Sequence, residues 1–343
     1  MLKNPYKTLV EAASLAPSGD NVQPWLFRVA PAEQEIIVEL DETRDQSPMN
    51  AGQRMSRIAC GAAVENIVQT ADYNGWPVSV DIAEDGTKAT VNITDYAANV
   101  DDATGVIPEV IQARHANRRK YDGRQLSVED VDRLESCDLS EQGVNVEWIT
   151  GRENMRAVSR DIARADAKMF GQPEFLRAFL ENVRFDLPAN AVAKEGLSVG
   201  SLEVSAFESW LMPRLSNMPG WLLNLPVLKQ PFYSHAIKLL NSSSGVVLIE
   251  TSSLKHWEWD VGRVMQRVWL RLTELGYQVQ PMMTIPALLN TSRRGMSRPP
   301  QLGVATQSTA AVLRFGVSQP ATARVGRMER IACEERAEAV VLA

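Results

Sequence analysis

At 343 residues with 45% hydrophobic side chains, the chain can bury a substantial core in one large unit or two fused ones. Its net charge of −6 argues against a nucleic acid or an anionic membrane as the main partner. Cys60, Cys137 and Cys333 show no CxxC spacing, so neither a disulfide framework nor a thiolate zinc site is expected. No apolar stretch approaches a membrane span, and "MLKNPYKTLVEAA" lacks a signal peptide's hydrophobic region. A soluble protein of a reducing cytoplasm is the expectation.

In chain order, "KTLVEAASLA" predicts a helix that breaks at "PSGDNVQPW", where Pro17, Ser18, Gly19, Asp20 and Asn21 all disfavour its continuation. "WLFRVA" and the alternating "EIIVELD" read as strands. From Arg57 a helix carries Val64, Ile67, Val68 and Ala71 on one face and ends near Gly75. "PVSVDIAEDGTKATVNIT" is a hairpin around Asp-Gly, and the polar stretch 98–106 is a boundary. The expected units are therefore 1–105 and 106–343.

The second unit predicts a helix over 107–116, then "LSVEDVDRLES", where Ser127 caps a helix with Asp130 at the capping-box position. "VNVEWI" and the apolar "GVVLIET" are strands, and a long helix from about Trp257 to Leu275 points Val261, Val264, Met265, Val268, Leu272 and Leu275 inward. "AAVLRFGV" closes the sheet. Each unit has a long helix ended by glycine and an aromatic, Gly75-Trp76 and Gly276-Tyr277, which suggests duplication without a literal repeat. The proline-rich stretch 170–235 fits neither pattern. Helical packing over a sheet and an insertion covering a pocket, with Trp210, Trp221 and Phe232 as its aromatic groups, are equally supported.

Common signatures for nucleotides, phosphates, zinc and serine hydrolases are absent, and His115, His235 and His256 lie far apart. No metal site and no catalytic acid or base is assigned. Two stretches remain. In "ARHANRRKYDGR", Arg114 and Arg118 are four apart and share one face of a helix end beside His115, a fork geometry suited to phosphate. A solvated basic face paired with Glu129 and Asp130 is the plainer alternative. In "APSGDNVQPW", an Asx-turn at Asp20 and Asn21 competes with a ligand-binding reading.

"APSGDNVQPW" resembles the P-S-x-x-N-x-Q-P-W segment of the nitroreductase family of FMN-dependent oxidoreductases. "RHANR" is similar to the Arg-(Arg/His)-(Ser/Thr)-x-(Arg/Lys) segment that holds the FMN phosphate there, with Ala116 where a hydroxyl is usual. "CGAAVENIVQTADYNGW" and "DVGRVMQRVWLRLTELGYQVQPM" resemble its central helix, and "QPATARVGRMERI" its closing strand and phosphate arginine, either Arg324 or Arg327. The resemblance implies an α+β, nitroreductase-like FMN-binding fold in which two halves form an intrachain pseudo-dimer with a helical insertion. It implies that Pro17, Ser18, Asn21 and Gln23 meet the ribityl chain and ring edge, while Arg114, His115, Ala116 and Arg118 meet the phosphate. NAD(P)H would deliver hydride to the flavin and leave, and a small electron-poor acceptor would then take its place. The alternatives are a flavin-sequestering protein with little turnover and a biosynthetic flavin-dependent dehydrogenase. A monomeric pseudo-dimer and a homodimer are both compatible with the sequence.

Overall fold

A computed structural model describes residues 4–94, 105–135, 141, 143–188, 191–252, 255–295, 302–318, 322, 324–328, 331–335 and 338–342. Cys137 lies outside them.

The chain opens with α1 (Asn4–Ser14), β1 (Trp25–Ala30), β2 (Glu35–Leu40), α2 (Arg54–Tyr73), β3 (Val78–Ile82) and β4 (Lys88–Ile93). It continues through α3 (Glu109–Ala113), α4 (Val128–Glu135), β5 (Val144–Ile149), α5 (Arg152–Phe170), α6 (Pro173–Glu181), β6 (Val183–Arg184), β7 (Leu197–Ser198) and α7 (Val199–Leu202). Then come α8 (Ala206–Leu215), α9 (Gly220–Leu223), α10 (Pro226–Asn241), β8 (Gly245–Thr251), α11 (Trp257–Glu274), β9 (Gln278–Pro281), α12 (Thr284–Arg293), β10 (Thr309–Gly316), β11 (Ile331–Glu335) and β12 (Glu338–Leu342). Helices and strands segregate as an α+β arrangement.

Two sheets share one grammar. The first runs β12-β11-β1-β2-β4-β3 and the second β5-β8-β10-β9. Within each, four strands pair antiparallel in the order first, second, fourth, third, with a long helix after the second strand. That helix is α2 in one case and α11 in the other, and the two pack against each other through small residues. A Cβ on Gly61 would lie 2.1 Å from the Trp259 carbonyl oxygen, and one on Gly262 would lie 2.0 Å from that of Ile58. Both helices also end alike. Gly75 N–H donates to Asp72 O and Trp76 N–H to Ala71 O, while Gly276 and Tyr277 repeat the pattern on Thr273 and Leu272.

The sheets differ where the chain is inserted. Between β5 and β8, where β1 and β2 are joined by a short turn, the chain places α5 through α10. The helical-packing reading of 170–235 describes part of it. Helix α10 packs on α5 and covers β8, whose strand is buried on both faces. Its outer part has a small core of its own around Leu176, Leu180, Val183, Leu215 and Leu223. Trp210 and Trp221 face outward, 54% and 71% exposed, and Phe232 stacks on Phe170 within the insertion.

Two expectations are corrected. The helix over 107–116 is only five residues, ending at Ala113. Strand β10 does not close its sheet, because β9 pairs outside it and takes the edge. Strand β11 runs parallel to β1, so the stretches 1–105 and 106–343 contribute to one sheet.

Candidate functional site

Past α1, the backbone makes one 3-10 turn over Gly19–Asn21, and three non-glycine residues adopt left-handed φ: Asp20 (45°), Asn21 (58°) and Gln23 (53°). Such a run persists only where the surroundings hold it. The Ser18 hydroxyl oxygen accepts from Gln23 N–H at 3.0 Å. The fully buried Gln23 donates from Nε2 to Asn21 O (3.2 Å) and Lys194 O (2.8 Å), and its Oε1 accepts from Met328 N–H at 2.9 Å. Pro17 precedes this turn half-buried, and the fully buried Trp25 follows it as the start of β1.

The arginine segment reaches the same place by a different backbone from the one expected. Arg114 leaves the helical region (φ −57°, ψ 123°), and Ala116 pairs in parallel with Val279 of β9. Arg114 and Arg118 therefore share no helix face. The Arg114 guanidinium lies over Trp269, 4.5 Å from the ring centroid, and donates to Leu15 O at 2.9 Å. Arg327 donates to Ser14 O (2.8 Å), Ala16 O (3.2 Å) and Asn21 Oδ1 (3.1 Å). Arg324 donates to Gln112 O (2.6 Å) and Ala113 O (3.1 Å).

Three guanidiniums thus gather around carbonyl oxygens, and among the described residues no carboxylate pairs with any of them. Burial, then the Arg327 and Arg324 charges, pulls Arg114 down to about 9; burial pulls Arg327 to about 10. Arg114 Nε and His115 Nε2 are buried with no hydrogen-bond partner. Burial also lowers His115, leaving a neutral ring whose Nδ1–H donates to Ala113 O at 2.9 Å. An anion beside it would favour the imidazolium and let Nε2 donate as well. This donor set fits a phosphate monoester: multiple cations, two free nitrogens and no competing acid.

Arg118 belongs to a different set of contacts. Its backbone N–H donates to Thr322 Oγ1 (2.9 Å), its Nη1 donates to Ser201 O (3.1 Å), and Asp20 and Glu203 are its opposite charges. Arg114 and Arg118 thus lie in separate sets of contacts, and the guanidiniums whose charges act on Arg114 are those of Arg324 and Arg327. Pairing with Glu129 and Asp130 is also corrected, because the Asp130 carboxylate accepts from Tyr277 Oη at 2.8 Å. Sequence reasoning missed Trp269, whose place on an apolar helix face reads only as core. It also missed Thr322, which donates to Asn117 Oδ1 at 3.0 Å and carries no local signature.

The fit is poorer at the other end. Asn21 Nδ2 donates to the Lys194 and Gly196 carbonyls at 3.3 Å each, so the amides expected to meet a ligand are held by the insertion. A cavity of about 460 Å³ opens nearby between Arg44–Pro48 and α6, but none of the expected site residues lines it.

Fold and site together define an α+β protein with a cationic cluster, centred on the buried Arg114, at the end of α1 and beside α11. Among known proteins the chain is similar to nitroreductases. No family model matches it. It is 26% identical over 176 residues to a Mycobacterium tuberculosis protein provisionally named an NAD(P)H nitroreductase, a match covering 50% of this chain and 48% of that protein. It is 23% identical over 284 residues to an uncharacterised protein of the same species, covering 81% of this chain and 38% of that one. The chain thus spans less than half the length of the curated relatives it matches. Structural neighbours include an FMN-dependent nitroreductase of Mycobacterium smegmatis in complex with NADPH, at 18% identity and a TM-score of 0.33, covering 62% of this chain and 86% of that one. A Bacteroides fragilis nitroreductase with bound FMN overlaps at 10% identity and a TM-score of 0.32, covering 64% and 93%.

Proposed function

We propose that the chain is an FMN-dependent oxidoreductase that passes two electrons from NAD(P)H to a small electron-poor acceptor. One observation carries the reading: Arg114, Arg324 and Arg327 converge without a carboxylate, with Arg114 Nε and His115 Nε2 left free. Those residues would hold the FMN phosphate. Ser18, Asn21 and Gln23 would serve the ribityl chain and ring edge. When bound, FMN supplies the redox chemistry.

The protein's own part is binding and orientation. Arg114 is stiffened by Trp269 beneath it, and Arg327 ties Asn21 to the end of α1, so the phosphate end and the expected ring end are mechanically linked. The four-strand grammar repeated around α2 and α11 supports two halves folded as an intrachain pseudo-dimer. The contacts of 194–201 with Asn21, Gln23 and Arg118 favour one second reading, a protein whose insertion closes on the flavin and allows little turnover.

Reconstitution with FMN followed by anaerobic NADPH tests both readings. Yellow protein that bleaches supports the oxidoreductase; yellow protein that stays oxidised supports sequestration; protein that cannot take up FMN contradicts both.

A further inference from the structure

Residues 193–203 thread between the two halves of the proposed site. The Lys194 carbonyl accepts from Asn21 Nδ2 (3.3 Å) and Gln23 Nε2 (2.8 Å), and the Gly196 carbonyl accepts from Asn21 Nδ2 (3.3 Å). The Ala193 carbonyl accepts from Gly326 N–H at 2.8 Å, and the Ser201 carbonyl from Arg118 Nη1 at 3.1 Å. Two ion pairs fasten the stretch at its flanks, Glu195 to Arg44 and Glu203 to Arg119. Four carbonyls of one short segment therefore face donors from the 17–23 turn, the arginine segment and the C-terminal stretch.

The segment's build suits it to release. Its regular structure is the two-residue β7 and the four-residue α7. Gly196 turns at φ +73° where a Cβ would lie 2.5 Å from Asn182 O, and Glu203 holds a left-handed φ of 57°. Short elements joined at such turns open at low cost. Ala193 and Leu197 are buried, so the backbone is anchored while its polar contacts can exchange.

We propose that 193–203 is a strap competing with the flavin: its carbonyls take the amides of Asn21 and Gln23 that the ribityl chain and ring edge would use, and flavin binding displaces it. The inference rests on the flavin reading above. It differs from a lid that closes over bound flavin, because the strap and the flavin use the same donors and exclude each other. Loosening the strap should therefore tighten flavin binding.

Hydrogen exchange of the full chain, with and without FMN, tests this while quenching of flavin fluorescence reports binding independently. Peptides spanning 193–203 are expected to exchange on the order of tenfold faster once FMN quenches. The double variant Glu195→Gln, Glu203→Gln, which removes the flanking ion pairs and the Glu203 charge opposite Arg118, is expected to bind FMN severalfold tighter. Quenching with unchanged or slower exchange in 193–203, or weaker binding by the double variant, overturns the strap. Absence of quenching overturns the flavin reading, and the strap inference falls with it.

Discussion

At the scale of single residues, the charge arrangement makes unequal demands on arginines that look alike in sequence. Arg114 is buried against Trp269 with a free Nε, whereas Arg118 faces Asp20, Glu203 and the Ser201 carbonyl. Arg114→Ala should weaken FMN binding by about 1.5–3 kcal/mol, roughly 10- to 150-fold. Arg118→Ala, which frees the Ser201 carbonyl, should not weaken it, and equal losses in a fluorescence titration would contradict the assignment. The RHANR stretch was legible as cationic, but its partners were not. Reading i and i+4 as neighbours presumes a helix, and the pairing of Ala116 with Val279 pulls this stretch into extended backbone. Two partly exposed carboxylates give a pH signature. Burial lifts Asp166 to about 7, against a lowering hydrogen bond from Thr284, and burial lifts Asp20 to about 6. A carboxyl whose folded pKa is raised contributes stability that is fully present below its unfolded pKa near 4 and lost as pH rises through the folded value. Stability should fall between roughly pH 4 and 7 on this account. Asp166→Asn keeps an acceptor for Thr284 and should raise Tm near pH 8, by roughly 2–4 °C per kcal/mol relieved, with little effect near pH 4. A Tm gain that does not depend on pH would show that Asp166 is not the titrating group.

At the scale of elements, the α2–α11 crossing is the structural centre. Gly61 and Gly262 each allow a backbone carbonyl of the opposite helix to sit where a Cβ would be. Gly61→Ala and Gly262→Ala should each destabilise the fold by about 1–3 kcal/mol, by similar amounts because the two contacts mirror each other. Thermal or urea denaturation measures this; a large loss in one and none in the other would break the equivalence. Strands β1 to β5 and helix α11 were legible because one buried face leaves a period of two or of 3.6 residues, and β8 because burial on both faces leaves a continuous apolar run. Helices α5 and α12 and strand β11 were not read as separate elements. Helix α5 is polar on most of its surface apart from the Val158, Ile162 and Ala165 stripe, and α12 follows β9 directly, without a glycine or proline between them. The pairing of β11 with β1 joins residues some 300 positions apart, which no local pattern encodes.

At the scale of the whole molecule, the two sides of the crossing differ. On one, Asn66 Nδ2 donates to Ala12 O (2.8 Å), and Gln266 Nε2 donates to Asn66 Oδ1 (2.7 Å). On the other, the fully buried Glu65 pairs with Arg263 (3.2 Å) and Arg267 (2.7 Å), and Glu141 binds both arginines. The neutral side lies by α1 and leads to the arginine cluster. The ionic side spends its cations on carboxylates, and removing one partner would strand a buried charge at a cost of about 3–5 kcal/mol. Among the described residues the cations there are taken by Glu65 and Glu141, which leaves a phosphate no partner and allows one flavin per chain. The most direct measurement is flavin stoichiometry after reconstitution, by absorbance against protein mass in the 38.0-kDa chain. The account predicts one FMN per chain, released by Arg114→Ala; two FMN per chain, or one that Arg114→Ala leaves untouched, would contradict it.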